Sequence, residues 1–180
     1  MPVHVSPYSD EWPVRFAEVA SELHRALETV PVVAIEHVGS TAVPGLAAKP
    51  VLDIDIIVER QHVGAAISAL AGAGYVHRGD LGVTDREAFT APDNDPARHV
   101  YLCVAGTLHV RNHLAVRDVL RQRSDLREKY SAVKKQLARD PEMDIDTYIA
   151  GKSGVLQEVL ACSDLTDEEK VLIYKLNTQS

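Results

Sequence analysis

Cysteine is nearly missing: Cys103 and Cys162 are the two in a chain of 180 residues. Two cannot build a disulfide framework, and no Cys-rich zinc pattern is present, so a reduced, cytoplasmic protein is expected. Aromatic residues are scarce at 5%, too few for the interleaved stacking platforms of single-strand nucleic-acid binders. Basic charge is short as well. Against 26 Asp and Glu stand 19 Lys and Arg, leaving a net charge of −7. Such a chain is a poor general binder of DNA, RNA or anionic membranes. No apolar run approaches the roughly 18 residues of a membrane span. The opening MPVHVSPYSDEW has no basic stretch leading into an apolar one, so no signal peptide is expected. What is there is the balance of a globular protein, 46% apolar and 25% charged. The length suits one domain, or a core with an appended helical unit.

The charge is unevenly spread. From Arg111 to Arg139 nine basic side chains face three acids; from Asp140 to Lys170 nine acids face two lysines. Runs of this kind are usually solvated helix faces. The sharper reading of the basic run is a wall for a small phosphorylated ligand.

Periodicity predicts an α+β protein: a small mixed sheet with flanking helices, then a helical C-terminal half. Ser9 or Asp10 can cap a helix with Pro13 in its first turn. Phe16, Val19, Ala20, Leu23 and Leu27 recur at helical spacing until Pro31 stops them. Residues 32–38 (VVAIEHV) and 51–58 (VLDIDIIV) read as strands. Between them Gly39-Ser40-Thr41 begins a small-residue turn opening a short helix. Residues 61–73 read as a helix ending at Gly74, and Tyr75-Val76 as a strand start. The stretch 79–98 is acidic and loop-like, long enough to suggest a lid. Residues 100–104 and 108–111 read as a hairpin around Ala105-Gly106-Thr107. Helices follow at 114–123, 125–139, 144–161 and 166–177, the last opening on the capping box Thr166-Asp-Glu-Glu169. The expected division is a core over residues 1–112 and a helical region over 113–180, packed as a single compact unit.

Chemistry concentrates between His37 and Ile56. In a strand of period two, Asp53 and Asp55 share one face while Leu52, Ile54 and Ile56 take the other. Two acids so placed repel each other in a half-buried strand unless a cation lies between them. Hard oxygen donors at that spacing suit Mg²⁺. The bland alternative is an exposed edge, which an aliphatic strand of this kind argues against. Gly39 and Ser40 end the preceding strand, where backbone amides and a hydroxyl can hold phosphate oxygens; a Gly-Ser pair alone is an ordinary turn.

The combination of strand, Gly39-Ser40, short helix and a strand bearing Asp53-Ile54-Asp55 resembles the nucleotidyltransferase superfamily that includes DNA polymerase beta. More closely, the chain resembles the GrpB family. The matching text is Tyr8-Ser-Asp-Glu-Trp-Pro13, then His37-Val-Gly-Ser-Thr-Ala-Val-Pro-Gly-Leu-Ala-Ala-Lys-Pro50, then Leu52-Asp-Ile-Asp55. Arg117-Asp118 with Leu120-Arg121, Tyr130 with Lys134, and Tyr148 with Lys152 follow in order. The likeness runs over about residues 8–161. The resemblance implies a sheet of the nucleotidyltransferase type. It implies a Mg²⁺- or Mn²⁺-dependent transfer of NMP from an NTP to a small-molecule acceptor, with Asp53 and Asp55 as catalytic metal ligands. One departure stands out. Nucleotidyltransferases usually carry a third carboxylate on a later strand, and the corresponding Arg98-His99-Val100-Tyr101-Leu102 has none. Asp80, Asp85, Glu87, Asp93 or Asp95 would have to swing in from the loop.

Other residues carry paired readings. Gly39, Ser40, Thr41, Lys49 and His37 are candidates for the nucleotide, although Lys49 also reads as an exposed lysine and His37 as a core imidazole. His99 and Tyr101 share a strand face and, with Arg117, Asp118, Tyr148 and Lys152, are candidates for the second substrate. Arg117 would reach phosphate while Asp118 holds it in position. Tyr148 and Lys152 would close a cleft, or simply pack ring on stem. His109 and His113, beside the expected hairpin, read as substrate or metal contacts, or as structural histidines. Cys103 reads as a small buried hydrophobe. Two functions stay open: a nucleotidyltransferase, or a non-catalytic nucleotide- or phosphate-binding module on the same fold, for which the resemblance also implies an accessory domain related to coenzyme A metabolism. The expected partners are an NTP and a small-molecule acceptor, with a partner-binding accessory domain as a third reading; the protein is expected as a monomer or homodimer, away from nucleic acid and membrane.

Overall fold

The structure is a computed structural model that describes residues 4–178, with side chains through residue 175. The chain divides into two compact units. Of the described residues, one comprises 10–38 and 51–111; the other comprises 4–9, 39–50 and 112–178.

The first unit is built on a five-stranded mixed sheet. Its elements are α1 (Glu11–Ala26), β1 (Ala34–Val38), β2 (Leu52–Val58), α2 (Val63–Gly72), β3 (Val76–His77), β4 (Arg86–Thr90) and β5 (Arg98–Val104). The strand order is β1-β2-β5-β4-β3. Only β2 and β5 run parallel; the other neighbours are antiparallel. β2 is central, as its aliphatic run requires: Leu52, Ile54, Ile56 and Val58 are buried, and so are Asp55 and Ile57 on the other face. α1 and α2 pack on the face that carries Ile54 and Ile56. α1 buries Trp12, Val19 and Leu23, a stripe at helical spacing, and Phe16 stacks on His37 of β1 at 4.7 Å.

Two local expectations are corrected here. The stretch 79–98 is not one loop, because it contains β4, and its acids are held locally. Asp85 pairs with Arg60 at 2.6 Å, Glu87 with His77 at 2.8 Å and Asp93 with Arg98 at 2.9 Å. Asp95 pairs with Arg15, and Asp80 accepts from the Gly82 amide at 2.9 Å. The expected hairpin after β5 is instead a helix, α3 (Leu108–Gln122). Gly106, at φ +76°, turns the chain. The Thr107 hydroxyl then donates to the Val104 carbonyl at 2.8 Å. The Thr107 carbonyl accepts from Arg111 N at 3.0 Å, which is the first helical turn. Four residues of alternating character could not distinguish the two periods.

The division into units falls inside α3, at Arg111. The second unit adds α4 (Ser124–Ala138), α5 (Ile145–Ala161) and α6 (Asp167–Thr178). α4 packs on α5, and α5 on α6. Val43 and Leu46 from the 39–50 segment join Leu120, Leu126, Tyr130, Val155 and Val159 in one apolar cluster. Caps begin the last two helices. Asp144 accepts from the Thr147 amide at 2.8 Å. The Thr166 hydroxyl accepts from the Glu169 amide, and the Glu169 carboxylate accepts from the Thr166 amide. Among the described residues no helix is long and apolar enough to cross a membrane.

Candidate functional site

The sheet face opposite α1 and α2 gathers the polar residues of the first unit. Register decides which. On β2 they are Asp53 and Asp55; opposite them on β5 stand His99 and Tyr101. β4 contributes Arg86, paired with Cys103, and β1 contributes Glu36, paired with Asp55. Three carboxylates therefore share this face: Asp53, Asp55 and Glu36. The third was missed because β1 also reads as a plain apolar strand, and nothing local says which residue of β2 it meets.

The two aspartates have different surroundings. Asp53 is partly open, and its Oδ1 lies 3.1 Å from His99 Nδ1. A histidine, not a further acid, is the β5 residue in register with Asp53. Asp55 is fully buried. His109 Nε2, from the first turn of α3, is 3.8 Å from its Oδ1, and the Cys103 sulfur lies within 4.8 Å of a ligand atom of each. Burial first, and the Asp55 charge second, push the Cys103 pKa far above its ordinary value. Tyr101 is raised by burial first and then by Asp53, with Arg86 opposing. That guanidinium lies 4.5 Å from the Tyr101 ring centre, and the ring meets His109 edge-on at 5.9 Å. His37 projects to the opposite face, buried against Phe16.

In the second unit the turn after β1 begins with Gly39 at φ +73° and ψ −173°. This is a region of backbone space essentially reserved for glycine. Ser40, Thr41 and Ala42 make a single 3-10 turn, in which Thr41 is buried. The Ser40 hydroxyl accepts a hydrogen bond from Lys134, a lysine only 2% exposed. Lys134 also donates to the Ala47 carbonyl at 3.0 Å and lies 4.7 Å from the Tyr130 ring centre. Its importance was legible only as the Tyr130–Lys134 text match, since a lysine in a basic run reads as solvated. Tyr148 is fully buried, with Lys49 Nζ 5.5 Å and Lys152 Nζ 4.7 Å from its ring centre. Burial raises its hydroxyl pKa well above the usual range. Arg117 donates to Asp118 at 2.9 Å. The basic run also lines a cavity of about 740 Å³, bounded by Gly45, Arg127, Ser131, Lys135 and Arg139, with Glu128 as its acid.

Comparison with known proteins agrees with this architecture. A family profile described as GrpB protein matches residues 2–161. The UPF0157 protein YqkA of Bacillus subtilis is 32% identical over 151 residues, which are 83% of this chain and 44% of that one. The chain thus spans less than half the length of that relative. The crystal structure of conserved protein GrpB from Enterococcus faecalis superposes with a TM-score of 0.75 at 31% identity, covering 88% of this chain and 98% of that one. The Cid1 poly(U) polymerase, in a MgGTP-bound crystal structure, superposes with a TM-score of 0.54 at 12% identity. That match covers 74% of this chain and 44% of that one, and it shows a shared fold.

Proposed function

Since the chain belongs to the GrpB family, we propose that it is a nucleotidyltransferase-type enzyme acting on a nucleoside triphosphate and a small acceptor. The observation that supports this most is the carboxylate row. Asp53 and Asp55 lie side by side on a central strand, with Glu36 opposite, on a fold shared with the MgGTP-binding Cid1. A row of hard oxygen donors suits Mg²⁺ or Mn²⁺, and Asp53 and Asp55 would hold the ion. When bound, it would supply charge neutralisation for triphosphate oxygens.

The chain's own residues do the rest by placement. His99 sets the rotamer of the Asp53 carboxylate through its Nδ1 contact. The Gly39-Ser40-Thr41 turn would hold phosphate oxygens, with Lys134 fixing the serine. The basic cavity on α4 suits a small phosphorylated ligand, as the charge run in the sequence suggests. In the reaction, an acceptor oxygen forms a bond to the α-phosphorus as the bond to pyrophosphate breaks. Positioning and charge neutralisation supply most of the acceleration. A second reading, a binding module without turnover, is favoured by one fact: histidine, not an acid, stands beside Asp53 on β5.

One experiment separates the two. Purified protein is incubated with each NTP, Mg²⁺ and a pool of small metabolites, and pyrophosphate release and NMP mass gain are followed. The enzyme reading expects turnover that Asp53→Asn lowers by about a hundredfold or more. A nucleotide-dependent rise in melting temperature without turnover supports the module. Neither signal with any NTP rejects both.

A further inference from the structure

At the buried end of the carboxylate row the donor set changes character. Asp55, Cys103 and His109 each offer one ligand atom, and these atoms all lie within 4.8 Å of one another. Oxygen, sulfur and nitrogen converge there from three elements: β2, β5 and the first turn of α3. We propose that this cluster is a binding site for a thiophilic divalent cation of the zinc type, separate in kind from the hard-ion chemistry of Asp53.

The geometry is nearly that of a bound ion. Zinc bonds of about 2.0–2.3 Å imply tetrahedral ligand–ligand edges of about 3.3–3.6 Å. His109 Nε2 and Asp55 Oδ1 are already 3.8 Å apart. Closing the widest separation takes about an ångström of side-chain motion, within reach of small χ adjustments. The framework is rigid: Asp55 and Cys103 sit on paired central strands and are fully buried. The Gly106-Thr107 turn fixes where α3 begins, and with it His109.

The chemistry selects the metal. Mg²⁺ demands oxygen ligands and gives up its waters reluctantly, so a thiol and an imidazole are poor partners for it. Thiolate and imidazole instead favour Zn²⁺, Co²⁺ and their neighbours. Three protein ligands leave a fourth position for water, as in zinc sites that are not purely structural. Binding forms the metal–sulfur bond as the thiol releases its proton to solvent and the aqua ion sheds waters; no electron changes hands. Asp55 belongs to both donor sets, but the test involves no nucleotide, so failure here and failure of the nucleotide reading are distinguishable.

The test uses the full chain, reduced and stripped of metal, titrated with Co²⁺ alone. The expected result is a thiolate-to-cobalt charge-transfer band that saturates at one ion per chain and is displaced by Zn²⁺. Cys162→Ser keeps the band and Cys103→Ser loses it. His109→Gln lowers Co²⁺ affinity at least about tenfold. Since Cys103 is buried and its variant could fail to fold, X-ray absorption of the wild-type zinc form gives a second readout, with one sulfur in the coordination shell. The proposal is overturned by a shell of oxygen and nitrogen alone, by no charge-transfer band in the wild type, or by a band that follows Cys162.

Discussion

Lys134 shows how much one buried side chain can hold. Its ammonium satisfies the Ser40 hydroxyl and the Ala47 carbonyl, both in the 39–50 segment, and lies over the Tyr130 ring. Removing it leaves buried acceptors unpaired, and that penalty exceeds the modest net worth of the bonds themselves. We expect Lys134→Ala to destabilise the protein by about 2–3 kcal/mol in urea unfolding. By contrast Lys129, whose pair with Glu158 is exposed on both sides, should cost less than about 0.5 kcal/mol when replaced by alanine. Equal effects for the two lysines would refute the assignment. Gly39 is a second case. At φ +73° and ψ −173° any Cβ is strained, so Gly39→Ala should lose about 1–3 kcal/mol. A neutral substitution there would mean the turn has another shape.

At the scale of elements, stability is local at some helix ends and tertiary elsewhere. α6 starts with a reciprocal pair of side-chain to backbone bonds. Thr166→Ala should therefore cost about 1 kcal/mol, and a serine in its place should restore most of it. Circular dichroism during thermal unfolding reports both. This box was legible because all its partners lie within four residues. β2 was legible for the same reason: alternation assigns Asp53 and Asp55 to one face without knowledge of neighbours. The segments 79–98 and 108–111 were not. β4 is a strand because β5 and β3 pair with it, and a five-residue run with Arg86 and Glu87 at its start carries no strong signal of its own. α3 extends back to Leu108 because Gly106 and Thr107 turn the chain there, which overrides a four-residue alternation.

For the whole molecule, the titrating groups predict an acid and an alkaline limb of stability loss. Asp125 is held down to about 2 by Arg123. Asp85 is lowered by Arg60, Asp93 by Arg98, and Asp144 by the Thr147 amide. Each is depressed in the folded state, so the stability it contributes is present above the unfolded value of 3.8 and lost as pH falls toward about 2. Tyr148, Tyr101 and Cys103 are raised by burial. Their contribution is present below the unfolded values of 9.0 for cysteine and 10.0 for tyrosine, and is lost as pH rises beyond them. Urea midpoints measured across pH should drop at both ends. A midpoint that is unchanged between pH 3.8 and about 2 would contradict the acid limb.

The amino-acid order alone settled the α+β class, most helix spans, the shared face of Asp53 and Asp55 and the family likeness, because each of these is written in short-range periodicity or contiguous text. Tertiary structure decided what meets those aspartates: Glu36 from β1, His99 and Cys103 from β5, His109 from α3. Strand pairing and register follow from how all the apolar faces are buried together, so no local window encodes them. The same holds for Lys134, which reads as one more surface charge until α4 brings it to Ser40, 94 positions away.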